Sequence, residues 1–313
     1  MVEPALRETF GSFLAHNGEK YKNIVVLDAD LSSSTGTYKF AERYPERFFN
    51  MGIAEQNMLG TALGFAISGK IPVVSGFTIF TIGRAWEFIR LACHDKLNVK
   101  IITTHGGFVG EDGSTHNALE DLSIMATLPN LNILVPADTI ELKQMLECAL
   151  DTNGPFYIRL PRDSFDKIHD EDYIFTIGKP DILKNGDDIC LIGIGYGSSL
   201  GLKSVPIIED KFKISVKVIN FPSIKPIHSK LLINEIKKAK ALIIIEEHNI
   251  YCGFGSILAR IISDNCPKPM RFIGIENSFG ESGRRDELLS SYGLNIENIL
   301  KQVNYLIKNF EIS

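Results

Sequence analysis

The residues best suited to chemistry fall in two short stretches. The first is Phe48–Gly69, FFNMGIAEQNMLGTALGFAISG, where Glu55 stands at the mouth of a segment with no charged side chain from Gln56 to Gly69. Leu59, Leu63 and Phe65, with small Gly60, Ala62, Gly64 and Ala66, suit a tightly packed helix. A carboxylate at such an entrance is poorly solvated, so it must be paired, hydrogen-bonded or protonated. Acid–base sites select carboxylates in that setting, and structural networks produce them too. Taken alone, Glu55 also reads as a first-turn residue favoured by the helix dipole.

The second stretch is Thr103–Asp121, TTHGGFVGEDGSTHNALED. It follows an apolar strand and precedes a helix, so it projects from the carboxyl edge of a parallel sheet, where open α/β folds bind ligands. Within 12 positions it offers His105, Glu111, Asp112 and His116 on a glycine-hinged loop. A surface turn with Asx-type bonds in GEDG explains the same residues. The spacing matches no compact metal-ligand pattern, and GEDG lacks the context of a phosphate-cradling loop.

Apolar runs that alternate with helix-period segments must position these residues. Strands are predicted at Ile24–Leu27, Pro72–Val74, Val99–Thr103, Ile133–Val135 and Phe156–Arg159, with helices at Glu55–Ser68, Ile82–Cys93, Leu119–Thr127 and Asp138–Asp151. A second series places strands at Ile189–Ile194, Val216–Ile219, Ala241–Glu246 and Phe272–Ile275, with helices near Ser198–Glu209, Lys230–Ala239 and Gly255–Ser263. Such alternation implies α/β architecture: two consecutive domains, each a mostly parallel sheet flanked by helices. Asp163–Lys179 is acidic and aperiodic, which reads as a linker. The expected division is residues 1–165, a linker at 166–180, and residues 181–313.

Composition excludes several classes. At 313 residues, 44% hydrophobic and 23% charged, the chain fits an ordinary globular protein of two domains. A net charge of −5 with no long basic run gives no reason to expect nucleic-acid binding. Cys93, Cys148, Cys190, Cys252 and Cys266 lack CxxC or metal-ligand spacing and read as thiols in a reducing compartment. The start, MVEPALRETFGSFLAHNG, carries two glutamates and does not resemble a signal peptide. Lys70 and Pro72 break the longest apolar zone into pieces too short to span a bilayer. A cytoplasmic protein without membrane association is expected.

Taken together, DADLSSSTGTYKF, FFNMGIAEQNM, SGFTIFTIGRAWEFIR, GEDGSTHNALED and YIRLPRDSF resemble the transketolase family of thiamine diphosphate enzymes, in the family's order. The resemblance is strong from Pro4 to Arg162 and continues more weakly through IIIEEH and GFGS. It implies a pyrimidine-binding domain and a C-terminal domain. The family's diphosphate-binding domain, with its magnesium motif, has no counterpart here. The chain is therefore similar to the C-terminal-half subunit of a split transketolase.

The resemblance also implies roles. Glu55 matches the glutamate that hydrogen-bonds N1′ of the aminopyrimidine and so promotes loss of the thiazolium proton; the cofactor carries the carbanion chemistry. Phe77 and Phe80 match aromatic residues packed on the pyrimidine ring, although without Glu55 plain core packing would be the better reading. Asp30 matches an aspartate near the cofactor, or caps a loop. His105, Asp112 and His116 match residues lining the substrate channel, His116 being also assigned a catalytic part. Arg7, Ser34 and Arg162 match groups at the sugar-phosphate end, where guanidinium groups bind a dianion by charge-assisted bonds. Each arginine alone also reads as a surface or interface residue.

Two departures stand out. The His105-to-Asp112 interval is one residue short of the usual loop, which would displace His105. Gly83 stands where many transketolases carry a tyrosine. Magnesium ligands are expected from a partner chain, in an assembly holding two copies of each subunit. The reading is ketol transfer, a two-carbon unit passing from a ketose to an aldose; phosphorylated sugars are expected, and the residues are compatible with unphosphorylated ones. The rivals are the beta subunit of a 2-oxo-acid dehydrogenase decarboxylase, a deoxyxylulose-phosphate-synthase-like enzyme and a non-catalytic assembly subunit. GEDGSTHNALED and GRAWEFIR favour transketolase over the first.

Overall fold

The computed structural model describes residues 4–310 and 312. Residues 1–3, 311 and 313, which the expected domains include at their ends, and with them Glu3 of the amphipathic start, lie outside the described residues. The first half runs α1 (Leu6–Asn17), β1 (Ile24–Asp28), α2 (Ser32–Thr35), α3 (Tyr38–Arg43), β2 (Phe48–Asn50), α4 (Glu55–Ile67), β3 (Ile71–Ser75), α5 (Thr78–His94), β4 (Lys100–Thr103), α6 (Asp121–Ala126), β5 (Asn132–Leu134), α7 (Thr139–Asp151) and β6 (Phe156–Arg159). The second half runs β7 (Asp181–Lys184), β8 (Ile189–Gly193), α8 (Tyr196–Phe212), β9 (Val216–Asn220), β10 (Ser223–Lys225), α9 (Ser229–Ile236), β11 (Ala241–Asn249), α10 (Phe254–Asn265), β12 (Met270–Ile275), α11 (Arg285–Ser291) and α12 (Ile296–Phe310).

The described residues form two α/β layers. One sheet has seven strands in the order β10-β5-β6-β4-β3-β1-β2; the other has five, β12-β11-β8-β9-β7. Pairings are parallel except at β10 on β5 and β7 on β9. The central strands read as unbroken apolar runs because both faces are covered: every residue of β1, β8 and β9 is buried. Thus the expected class holds, and each predicted strand is present.

The differences have local causes. Helix α5 begins at Thr78 and not Ile82, because Thr78 is fixed to β4 through its amide and hydroxyl, both donating to the Thr104 carbonyl at 2.8 Å. Helix α6 begins at Asp121 and not Leu119, because Ala118 pairs back on Gly107. The short edge strands β2, β7 and β10 carry little periodicity and went unpredicted. So did α11 and α12, although α12 buries Ile299, Val303 and Leu306 at helical spacing.

The expected linker carries no helix or strand between Arg159 and Asp181, yet it is pinned at its centre. Buried His169 bonds Asp138 Oδ2 through Nδ1 at 2.8 Å and Asp181 Oδ2 through Nε2 at 3.0 Å. Tyr173 donates to Glu141 Oε1 at 2.6 Å, and Asn220 donates to the same oxygen at 2.8 Å. Asp138 also caps α7, accepting from the Glu141 amide. One network therefore joins α7, the linker, β7 and β9.

Burial alone would lower the His169 pKa, but bonds to Asp138 and Asp181, with Glu141 nearby, carry it up to about 10. A histidine whose folded pKa lies above its unfolded value of about 6.5 stabilises fully below that value and loses its contribution as pH rises through the folded pKa. His169→Gln is expected to cost about 3 kcal/mol near neutral pH, the scale of a buried pair left without one partner. Urea unfolding should show that deficit shrinking as pH approaches about 10. A deficit unchanged with pH would refute an ionised His169.

Candidate active site

Strands β6, β4, β3, β1 and β2 lie side by side and parallel, so the loops leaving their carboxyl ends share one edge. This edge gathers most of the residues singled out in the sequence. Glu55 is the first residue of α4 and only 4% exposed. Its carboxylate is paired: Arg84 Nη1 donates to Oε1 at 2.9 Å and to Oε2 at 3.0 Å. The Arg84 guanidinium also lies 4.5 Å from the centroid of Phe80. Gln56 fixes the Arg84 backbone by donating to its carbonyl at 3.1 Å.

The aromatic and imidazole rings pack together. Phe77 and Phe80 stand 6.3 Å apart with near-parallel planes. His105 lies 3.8 Å from Phe77, and His116 meets Phe80 edge-on at 5.1 Å. Despite the shortened loop, His105 is thus held at the rings. It adopts a left-handed φ of 63° just past the end of β4, and Thr104 Oγ1 contacts Nδ1 at 2.9 Å. Burial, followed by Arg7, Arg162 and His116, presses its pKa to about 3. His105 is therefore a neutral hydrogen-bonding group at physiological pH, with Nε2 3.8 Å from Asp112 Oδ2.

The residues expected at the anion end form two pairs, whose arginines both lie near enough to His105 to lower its pKa. Arg162 Nη1 donates to the Val109 carbonyl at 2.6 Å and stands 3.5 Å from Asp112. Arg7 Nη1 donates to the Ser34 carbonyl at 3.0 Å, which joins those two positions through backbone and not through the Ser34 hydroxyl. The buried Nε of Arg7 has no partner among the described residues. Asp30 is different. It adopts a φ of 65°, is exposed, and accepts from Asn50 at 2.9 Å; no hydrogen bond takes it to the histidine cluster. Asp28 is the buried acid of that turn, accepting from the Leu31 amide at 2.6 Å and from Thr35 and Thr37 at 2.8 and 2.9 Å. Burial raises its pKa against those donors.

Sequence reasoning missed two features. One is Arg84, four residues after Phe80 and therefore on the same helix face, a spacing visible in TIFTIGRAWE. The other is the anchoring of the 105–121 loop by the second half of the chain. Glu247 accepts from the Phe108 amide at 2.9 Å, the Asn249 amide donates to Leu119 at 2.7 Å, and the Leu122 amide donates to His248 Nε2 at 3.1 Å. Burial holds the His248 pKa down at about 4, so its unprotonated Nε2 accepts. Gly107 is required at the contact: its φ is +88°, and a Cβ there would fall 2.5 Å from Glu247 Oε1.

Beneath the loop, Arg159 Nε donates to both oxygens of Asp121 at 3.2 and 2.9 Å, and Nη2 donates to the Ala118 and Glu247 carbonyls at 2.8 and 3.1 Å. The motifs IIIEEH and GFGS meet directly, since Glu246 accepts from the amides of Phe254 and Gly255 at 2.7 and 2.9 Å. Among the described residues, no group of three or more His, Cys, Asp or Glu is arranged to hold a metal ion. None of the described helices is long and apolar enough to cross a membrane.

Comparison with known proteins identifies the family of the chain. The profile "Transketolase, pyrimidine binding domain" matches residues 2–167, and "Transketolase, C-terminal domain" matches residues 178–299. A "Putative transketolase C-terminal section" from Methanocaldococcus jannaschii is 42% identical, with 96% of each chain covered. The "6-deoxy-6-sulfo-D-fructose transketolase subunit SqwH" of a Clostridium species is 32% identical over 99% of this chain and 97% of its own. A solved structure described as "Split gene transketolase, inactive beta4 tetramer" superposes with a TM-score of 0.89 at 39% identity, covering 98% of this chain and 99% of that one. Several 1-deoxy-D-xylulose-5-phosphate synthases also align, and the chain spans about half their length, as with 48% of the Pelotomaculum thermopropionicum enzyme. With two family profiles that together cover most of the chain and relatives matched over nearly their full length, the chain belongs to the transketolase family.

Proposed function

We propose that this chain is one subunit of a two-chain, thiamine diphosphate-dependent transketolase that moves a two-carbon unit from a ketose to an aldose. The observation that carries the reading is the carboxylate of Glu55 facing the ring of Phe80 with a flat N–H donor seated between them. The same arrangement fits an aminopyrimidine, which is flat and hydrogen-bonds a carboxylate; Arg84 stands in for it here. Bound thiamine diphosphate would supply a nucleophilic carbon and an electron sink. The chain's own residues would do the rest. Glu55 holds and exchanges a proton at the aminopyrimidine N1′, and Phe77 and Phe80 set the plane of the ring. His105 and His116 face the substrate with hydrogen-bonding nitrogens, and Arg7 and Arg162 bind its anionic end, phosphate or sulfonate.

Magnesium and the diphosphate would be held by an N-terminal-half partner. The two-domain division at residues 1–165 and 181–313 is proposed with it. Support for a partner comes from the split relatives and from two exposed apolar side chains, Ile53 just before Glu55 and Ile67 at the far end of α4. Calorimetry with thiamine diphosphate and magnesium tests the reading. Tight binding is expected for this chain mixed with a partner half and not for this chain alone; tight binding by the chain alone would overturn the shared site. The alignment to the xylulose-phosphate synthases favours one second reading. Carbon dioxide release from pyruvate by the reconstituted complex, without turnover of ketose donors, would select it.

A further inference from the structure

Arg84 touches both defining residues of the cofactor-binding end, and its own surroundings leave it free to depart. It sits one helical turn after Phe80 on α5, and the helix breaks at the next residue, Ala85, with φ −114° and ψ 16°. Beside it, a Cβ on Gly83 would meet nothing within 4 Å. Its side chain is 49% exposed although its partner Glu55 is buried. The contact is specific in shape. One nitrogen lies between the two carboxylate oxygens at 2.9 and 3.0 Å, while the flat cation rests 4.5 Å over the Phe80 ring. A flat group that donates an N–H to Glu55 and stacks on Phe80 meets the same demands as a protonated aminopyrimidine.

We propose that Arg84 is a resident surrogate for the aminopyrimidine: its guanidinium competes with the cofactor for Glu55 and must swing out for the cofactor to bind. This rests on the reading of Glu55 as the aminopyrimidine's partner. Two physical facts support it. A carboxylate as buried as Glu55 is costly without a cation, so a chain that acquires its cofactor late gains from carrying its own. The carboxylate also cannot serve both groups fully, because Nη1 already engages both oxygens. Departure needs only the side chain, since the Arg84 backbone stays tied to Gln56. Apparent cofactor affinity is then the intrinsic affinity multiplied by the fraction of time that Glu55 is free.

The test is cofactor binding, not turnover. Thiamine diphosphate with magnesium is titrated into complexes of the partner half with wild-type, Arg84→Ala, Arg84→Lys and Glu55→Gln chains. Arg84→Ala is expected to bind about tenfold tighter than wild type, the scale of one charge-assisted hydrogen bond lost by the competitor. Millimolar guanidinium chloride should reverse that gain, and tetramethylammonium chloride at equal concentration should not. A merely structural arginine would show no such ion selectivity. Arg84→Lys, which keeps the charge but not the flat plate, should shift in the same direction and serves if the alanine variant fails to assemble. Equal or weaker binding by both variants overturns the proposal while leaving Glu55 its role. Unchanged affinity in Glu55→Gln, or no binding by any complex, overturns the reading of Glu55 and the surrogate with it.

Discussion

Glu55→Gln is expected to lower turnover of the reconstituted two-chain complex by roughly 10²- to 10⁴-fold, the range in which a positioned acid–base group acts. Glutamine preserves size and an acceptor oxygen, so the Arg84 contact survives in part and α4 keeps its entry. What is lost is the negative charge that favours a proton on its partner. On the proposed assignment, substrate KM should move little, because Glu55 is placed at the aminopyrimidine and Arg7 and Arg162 at the anionic end of the substrate. Steady-state rates, with circular dichroism and thermal unfolding as controls, decide the matter. Turnover within about twofold of wild type would remove Glu55 from the mechanism.

The largest stability loss is expected from Arg159→Met. Arg159 and Asp121 are both buried, and Arg159 also saturates two backbone carbonyls, one from each half of the chain. Methionine fills much of the volume but strands Asp121 without a cation, which costs about 3–5 kcal/mol in such settings. Tyr157 still donates to Asp121 at 2.6 Å, so part of the acid remains satisfied and the protein should still fold. The double replacement Arg159→Met with Asp121→Leu should recover much of the loss, because burying neither charge is cheaper than burying one. Denaturant unfolding of the three variants checks this; a double variant no more stable than Arg159→Met would show that the carbonyl contacts, not the charge, matter.

Much of the site was readable because its parts are local strings. Glu55 before an uncharged helix, aromatic rings around a strand-to-helix turn, and two histidines on a glycine-hinged loop declare themselves within about twenty residues each. The strands were equally legible, since those covered on both faces leave unbroken apolar runs. What escaped depends on distant packing. The partner of Glu55 lies 29 residues away on another helix, and no local pattern names it. In DAD, the chain's left-handed turn at Asp30 decides which acid faces inward, and two identical side chains give no hint of it. Glu247 could be recognised as part of a family string, but its bond to the Phe108 amide spans 139 positions.

Strand β10 adds a consequence for anyone dissecting the protein. It comes from the second half of the chain yet lies against β5, on the border of the first sheet. A cut in the linker would therefore remove β10 and leave β5 as a bare rim of unpaired amides and carbonyls, the kind of surface that recruits other chains into aggregates. The boundary between sequence families is thus not a boundary of self-sufficiency, and a fragment ending near Phe165 should be handled as an unfinished sheet.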